Sequence, residues 1–136
     1  MRRIVALVRS GSLVPRVRWW AGRIVSGVSP RDQTVQLWQL RSWMEAYFRF
    51  LRDPQGAELL HSPDVLLRQY ESQGYIQADC DDAAILAGAL ARSIGFKVRL
   101  VTVGFKPKGS YQHIWSEVWS PSENRSPACP PVAQRR

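Results

Sequence analysis

Hydrophobic side chains recur three or four positions apart through residues 30–52, which is the spacing of one face of a helix. These positions are Leu37, Leu40, Met44, Tyr47, Phe48 and Leu51. Ser29, Pro30 and Asp32 match a helix start, with serine as the N-cap and proline at the first helical position. The pattern predicts an amphipathic helix over residues 30–52 whose aromatic side chains belong to the core.

A shorter helix is predicted after a turn at residues 53–56. Ser62 and Pro63 mark its start, apolar residues continue through Leu67, and Gly74 marks its end. A third helix follows Asp79, which suits the N-cap, and ends at Gly95. One face of this third helix carries small side chains, which would let a sheet approach closely. These are Ala83, Ala84, Ala87 and Ala91.

Two strands are predicted after the third helix. Residues 97–105 are rich in β-branched and apolar side chains, and residues 111–119 alternate between two faces. His113, Trp115 and Glu117 fall on one face of the second strand, and Ile114, Ser116 and Val118 on the other. Because Pro107 and Gly109 turn the chain between them, the strands form an antiparallel hairpin.

The pattern divides the chain into three parts. Residues 1–29 are predicted to be a basic N-terminal arm for which a helical conformation is one option, residues 30–120 the domain, and residues 121–136 a Pro-rich irregular tail. The predicted fold class is α+β, with N-terminal helices and a helix that bears Cys80 packed on a small antiparallel sheet. The C-terminal part of this core is expected to be truncated or replaced, because the sequence turns Pro-rich where a further strand would begin.

The formal net charge of +8 is concentrated at the N-terminus, since residues 1–31 hold seven arginines and no acidic residue. Such a segment could contact phosphates, an acidic partner or a membrane surface. No nucleic-acid-binding motif accompanies the charge, so a solvated arm is favoured over a nucleic-acid binder. Trp19 and Trp20 among arginines indicate an amphipathic segment that docks on another surface, which could be the domain itself.

No apolar run is long enough to span a bilayer, and the first residues lack the apolar stretch of a signal peptide. The two cysteines, Cys80 and Cys129, do not make a disulfide framework. A cytoplasmic or virion-associated protein is therefore expected.

Cys80 is a candidate nucleophile because the first turn of a helix offers free N–H groups and the positive end of the dipole, which stabilise a thiolate. Asp79, Asp81 and Asp82 oppose this effect, so a nearby imidazolium is needed. His113 is the candidate, because His61 lies in a polar turn before the second helix and belongs to no matching pattern. From spacing alone, structural roles for Cys80 and His113 remain the more common alternative.

Four segments together resemble the transglutaminase-like superfamily, in particular its short bacterial and bacteriophage members. They are Asp79-Cys80-Asp81-Asp82-Ala83-Ala84-Ile85-Leu86, Ser93-Ile94-Gly95-Phe96, the strand from Val98 to Phe105, and Gln112-His113-Ile114-Trp115-Ser116-Glu117-Val118-Trp119. The upstream stretch from Arg52 to Pro63 is also similar, so the resemblance covers roughly residues 30–120. It implies a papain-like fold in which Cys80 and His113 are catalytic, acting on protein or peptide amides by proteolysis, deamidation or amine transfer.

The third catalytic residue of that family, an aspartate on the strand after the histidine strand, has no match, because no aspartate follows Asp82. Asn124 would fall in a turn, and Glu117 lies about 13 Å along the strand from His113. Activity is therefore expected to be weakened. The alternative is a degenerate structural or assembly module of a phage or prophage particle, with phage structural proteins as partners.

No cofactor is expected, and a metal site at Asp79, Asp81 and Asp82 is disfavoured because no second ligand cluster is visible.

Overall fold

A computed structural model describes residues 2–51, 60–103 and 113–119 of the chain. Within them the helices are α1 (Arg2–Gly11), α2 (Pro15–Ile24), α3 (Gln33–Tyr47), α4 (Pro63–Gln73) and α5 (Cys80–Ser93). The strands are β1 (Phe48–Phe50), β2 (Ile76–Ala78), β3 (Lys97–Val103) and β4 (His113–Trp119). The fold is α+β, as the sequence predicts.

Helix α5 is the centre of the fold. Every residue from Asp81 to Ala91 is buried, and the helix packs against the other four described helices and against β3 and β4. Small side chains make this possible, because they let neighbouring elements approach the helix backbone closely. At Gly88 an added Cβ would lie 3.2 Å from Val98 of β3 and 3.3 Å from Val8 of α1. The predicted packing of the cysteine-bearing helix on an antiparallel sheet is confirmed.

Strands β3 and β4 form the predicted antiparallel hairpin. Their register runs from Lys97 opposite Trp119 to Val103 opposite His113. Ile114, Ser116 and Val118 are buried, whereas Trp115 is partly exposed, so the alternation along β4 follows the predicted two faces. The turn at residues 104–112 lies outside the described residues.

The prediction for residues 30–52 is wrong at both ends of the helix. Asp32 is the N-cap of α3, since its side chain accepts a hydrogen bond from the Val35 N–H at 3.3 Å, and Ser29 and Pro30 precede the helix. The helix ends at Tyr47, and β1 follows at once and pairs in parallel with β2, with Phe48 opposite Ile76. This long-range pairing buries Phe48 and overrides the helical spacing of the segment. The predicted turn at residues 53–56 lies outside the described residues.

The two other predicted helices are confirmed with their ends. The Ser62 hydroxyl caps α4 by accepting the Val65 N–H, and Gly74 ends that helix in the left-handed region at φ 87°. Asp79 caps α5 by accepting the Asp82 N–H at 3.1 Å. Gly95 follows α5 with φ 101°, a conformation that glycine adopts at little cost.

The N-terminal residues form two helices that pack on α5, where the sequence favoured a solvated arm. Ile4 and Val8 of α1 and Val17 and Ala21 of α2 are buried. Their spacing places one apolar stripe on each helix, and all the arginines of the two helices except Arg16 are exposed. The domain boundaries at residues 29 and 120 stay predictions, and the tail at residues 121–136 lies outside the described residues.

Polar contacts also tie α2 to α4. Arg16 forms ion pairs with Asp64 at 2.9 Å and Glu71 at 3.2 Å, and the Trp20 indole N–H donates to Glu71 at 2.8 Å. The paired arginine lowers the pKa of Asp64 below its ordinary value.

Among the described residues, no helix has the length and apolar character that a membrane span requires.

Candidate functional site

Cys80 is the first residue of α5, the position that the sequence predicts for it. The side chain is partly buried and packs beside a small apolar cluster that contains Ile85 of its own helix and Ile114 of β4. The backbone N–H of Cys80 itself, at the start of the helix, lies close enough to the sulfur to act on it. This is a location where an anionic sulfur or an oxyanion gains stabilisation from the helix dipole.

The surroundings of Cys80 nevertheless favour the protonated thiol. The pKa of Cys80 is raised to about 11, mainly by burial and further by the negative charges of Asp81 and Asp79. The backbone N–H groups of Ile114 and of Cys80 itself lower the pKa, but by less. The thiol lies 3.8 Å from a carboxylate oxygen of Asp81, to which it can donate. At neutral pH the thiolate is therefore a very small fraction of the total.

The start of β4 lies against Cys80. The N–H of Ile114 is directed at the sulfur, and Ile114 directly follows His113 in the chain. The backbone of His113 begins β4 and is paired with Val103, whereas its side chain lies outside what the structure describes. The structure thus brings together the two chain segments that carry Cys80 and His113, and contact between sulfur and imidazole stays a prediction.

His61 occupies an unexpected place at the first turn of α5. The fully buried carboxylate of Asp82 accepts two hydrogen bonds from this residue, from the backbone N–H at 2.9 Å and from Nδ1 of the imidazole at 2.9 Å. When Asp82 is ionised its carboxylate can only accept, and Nδ1 then carries the proton of the second contact. Asp82 therefore fixes the segment before α4 to the helix that bears Cys80.

Sequence reasoning missed this pair. It placed His61 in a polar turn and Asp82 in the helix start, and it had no reason to join them across 21 positions. The one available signal was position: His61 directly precedes the cap of α4, and Asp82 belongs to the first turn of α5. Side chains at two helix starts meet only if the fold brings those two starts together, which neither pattern reveals.

Glu117 and Asn124 are the two residues that the sequence offers for orienting His113. Glu117 accepts hydrogen bonds from Arg99 at 2.7 Å and from the Trp115 indole at 3.3 Å, so its carboxylate is engaged at the far end of the hairpin. Asn124 lies outside the described residues.

Within the described ranges, no group of three or more His, Cys, Asp or Glu side chains could hold a metal ion.

The arrangement described above, a thiol at the start of a buried helix that packs on an antiparallel hairpin, defines a cysteine-bearing α+β domain. The family model of the transglutaminase-like superfamily matches residues 59–125, which include α4, α5, β3 and β4. This segment is similar to the transglutaminase-like superfamily, which is of the cysteine acyltransferase or hydrolase type. Searches of curated proteins and of solved structures gave no significant match.

Proposed function

We propose that this protein is a transglutaminase-like cysteine enzyme that acts on an amide of a protein or peptide. Cys80 is the nucleophile and His113 the general acid and base. The observation that carries the proposal is the position of Cys80 at the start of α5 against the first residues of β4, in a segment that matches the superfamily.

The reaction proceeds in two acyl-transfer steps. His113 takes the thiol proton of Cys80 as the sulfur attacks the amide carbonyl, and the oxyanion that forms accepts a hydrogen bond from the Cys80 N–H at the start of α5. The C–N bond then breaks, His113 gives a proton to the leaving amine, and a thioester on Cys80 remains. Water or a second amine attacks the thioester after giving a proton to His113, which releases the product and restores the thiol.

His113 has a specific task in this scheme, which is to offset the raised pKa of Cys80. A thiol with a pKa of about 11 is almost entirely protonated at pH 7. An imidazolium in contact with the sulfur would favour the thiolate and counter the charges of Asp79 and Asp81. The proposed activity therefore depends on His113 more strongly than it would in a site that already favoured the thiolate.

Acylation by an activated ester tests the proposal without knowledge of the natural substrate. In a Cys129→Ser background, Cys80 is the only thiol of the chain. Incubation with p-nitrophenyl acetate should give an acyl adduct, detected by intact mass and removed by hydroxylamine. The adduct should be absent in Cys80→Ala and should form at least about 100-fold more slowly in His113→Ala.

The other histidine provides the matched control. His61→Gln keeps a side-chain N–H donor for Asp82 and should be acylated at nearly the unsubstituted rate. Acylation that persists in Cys80→Ala, or that is as fast in His113→Ala as in the parent, would contradict the proposal.

A second candidate function is a non-catalytic assembly module with the same fold, such as a phage or prophage particle would use. Two observations favour it: no aspartate follows Asp82 in the sequence, and the pKa of Cys80 is raised. A module of this kind would bind particle proteins equally well in the parent and in a Cys80→Ala, His113→Ala variant, and it would show no acylation at residue 80. Acylation that depends on both residues would exclude this candidate.

A further inference from the structure

A cavity of about 450 Å³ lies at the end of α5 opposite to Cys80. The turn between α1 and α2 forms one side of it, and the last turn of α5 with the following glycine forms the other. Its lining residues are Ser12, Leu13, Arg18, Arg92, Ser93, Gly95 and Phe96. The volume falls within the range of small-molecule sites, which is roughly 300–1,000 Å³.

Two guanidinium groups from different helices line this cavity. Arg18 belongs to α2 and Arg92 to the last turn of α5, and both are exposed. Neither forms an ion pair or a side-chain hydrogen bond with any described residue, whereas Arg16, Arg41, Arg68 and Arg99 each face a carboxylate. The cavity therefore holds two guanidinium groups whose N–H donors make no hydrogen bond within the described residues.

No carboxylate is close by in the sequence to neutralise these arginines. The segments that build the cavity, residues 2–31 and 83–103, contain no aspartate and no glutamate. The Ser12 hydroxyl donates to the Arg9 carbonyl oxygen and the Ser93 hydroxyl to that of Leu90, each at 2.7 Å, so they add no negative charge. The net charge of the side chains at the cavity is thus positive. The C-terminus of α5 adds a partial negative charge, which one of the two arginines can offset, so the other still favours an anion.

We propose that this cavity binds a phosphate group, either free phosphate or a small phosphate monoester. Arginine presents paired N–H donors that match the oxygens of phosphate, and two such side chains in an acid-free pocket favour a doubly charged anion over a singly charged one. The exposed apolar side chain of Leu13 at the cavity offers a surface for the organic part of a monoester. The size of the cavity favours a small molecule as the ligand.

This site is separate from the proposed catalytic site. Arg92 follows Cys80 by 12 positions in a continuous helix, which corresponds to about 18 Å along the helix axis. The proposal rests on the arginines and their surroundings alone, so it stands or falls independently of the chemistry at Cys80.

Thermal unfolding of the full chain in sodium phosphate, compared with sodium chloride of equal ionic strength, tests the proposal. A ligand that binds the folded state raises the unfolding temperature, and the matched salt removes general screening. Phosphate should raise the unfolding temperature of the parent, and Arg18→Gln and Arg92→Gln should each weaken phosphate binding at least tenfold. Arg31→Gln makes the same change of charge at an exposed position outside the cavity and should bind phosphate as the parent does.

Phenyl phosphate serves as a second probe that distinguishes the two ligand sources. Tighter binding than inorganic phosphate, lost in Arg18→Gln, assigns the site to monoesters, and equal or weaker binding assigns it to free phosphate. Because Arg18 is exposed, its substitution tests the site even if Arg92→Gln fails to fold. The proposal is overturned if neither probe stabilises the parent beyond chloride, or if the Arg18→Gln variant responds as fully as Arg31→Gln.

Discussion

At the scale of single residues, the first turn of α5 holds two acidic side chains with different tasks. Asp81 lies near the Cys80 thiol and helps to raise its pKa, whereas Asp82 points into the fold and binds His61. A fully buried carboxylate is costly unless its oxygens accept hydrogen bonds, and His61 supplies two of them. The same short acidic run therefore both opposes the thiolate and fixes the helix that carries it.

Substitution of Asp82 by alanine is expected to destabilise the protein markedly. The change leaves the His61 N–H without its acceptor and removes a charge-assisted contact, which corresponds to about 2–3 kcal/mol of unfolding free energy. Urea unfolding followed by circular dichroism measures the loss. Glu45→Ala removes an exposed carboxylate paired with Arg41 and should cost no more than about 0.5 kcal/mol. Equal losses in the two variants would contradict the role of Asp82.

At the scale of secondary-structure elements, close approach between helices depends on positions without a side chain. Gly11 at the end of α1 lies against the start of α4, where an added Cβ would come within 2.5 Å of the Pro63 ring carbon Cγ. That proline is itself buried, so it has little room to move. The contact fixes the end of α1 against the segment that also carries His61.

Gly11→Ala is accordingly expected to lower the unfolding free energy by about 1–3 kcal/mol through overpacking. Gly22→Ala makes the same chemical change within α2, where nothing lies within 4 Å of the added Cβ. There the gain in helix propensity should stabilise the protein by about 0.5–1 kcal/mol. Differential scanning calorimetry of both variants compares them directly, and a stabilising Gly11→Ala would show that α1 and α4 are not in close contact.

The sequence predicted best those elements whose signals are local. Ser62 and Gly74 delimit α4, and Asp79 and Gly95 delimit α5, because capping and left-handed turns depend on a few neighbouring residues. It failed at Phe48, which has helical spacing but lies in a strand paired with residues 76–78. It also failed at His61, whose partner is 21 positions away. Such long-range contacts are set by the packing of the whole fold and leave no periodic signal.

At the scale of the whole molecule, the N-terminal helices complete the packing around α5. Helix α1 buries Ile4 and Val8 in the apolar cluster beside which Cys80 packs, and α2 buries Val17 in the main core. The hairpin alone would leave one side of α5 open to water. The site at Cys80 therefore depends on residues that lie outside the segment matched by the superfamily.

Removal of residues 2–29 should abolish cooperative unfolding, because it exposes the apolar side of α5 to water. Thermal unfolding followed by far-ultraviolet circular dichroism gives the result. A variant with Arg2→Gln and Arg3→Gln keeps Ile4 and Val8 and removes only exposed charge, so it should unfold as the parent does. A shortened chain that unfolds cooperatively at the parental temperature would support the predicted division at residue 29.

The rate of Cys80 alkylation by iodoacetamide as a function of pH, in a Cys129→Ser background, tests the central claim most directly. Because only the thiolate reacts, the midpoint of the profile reports the pKa of Cys80. The account predicts that the midpoint of the parent lies at least about one pH unit below that of His113→Ala, because an imidazolium at residue 113 favours the thiolate against burial, Asp81 and Asp79. Equal midpoints in the two proteins would show that His113 does not activate Cys80 and would contradict the catalytic account.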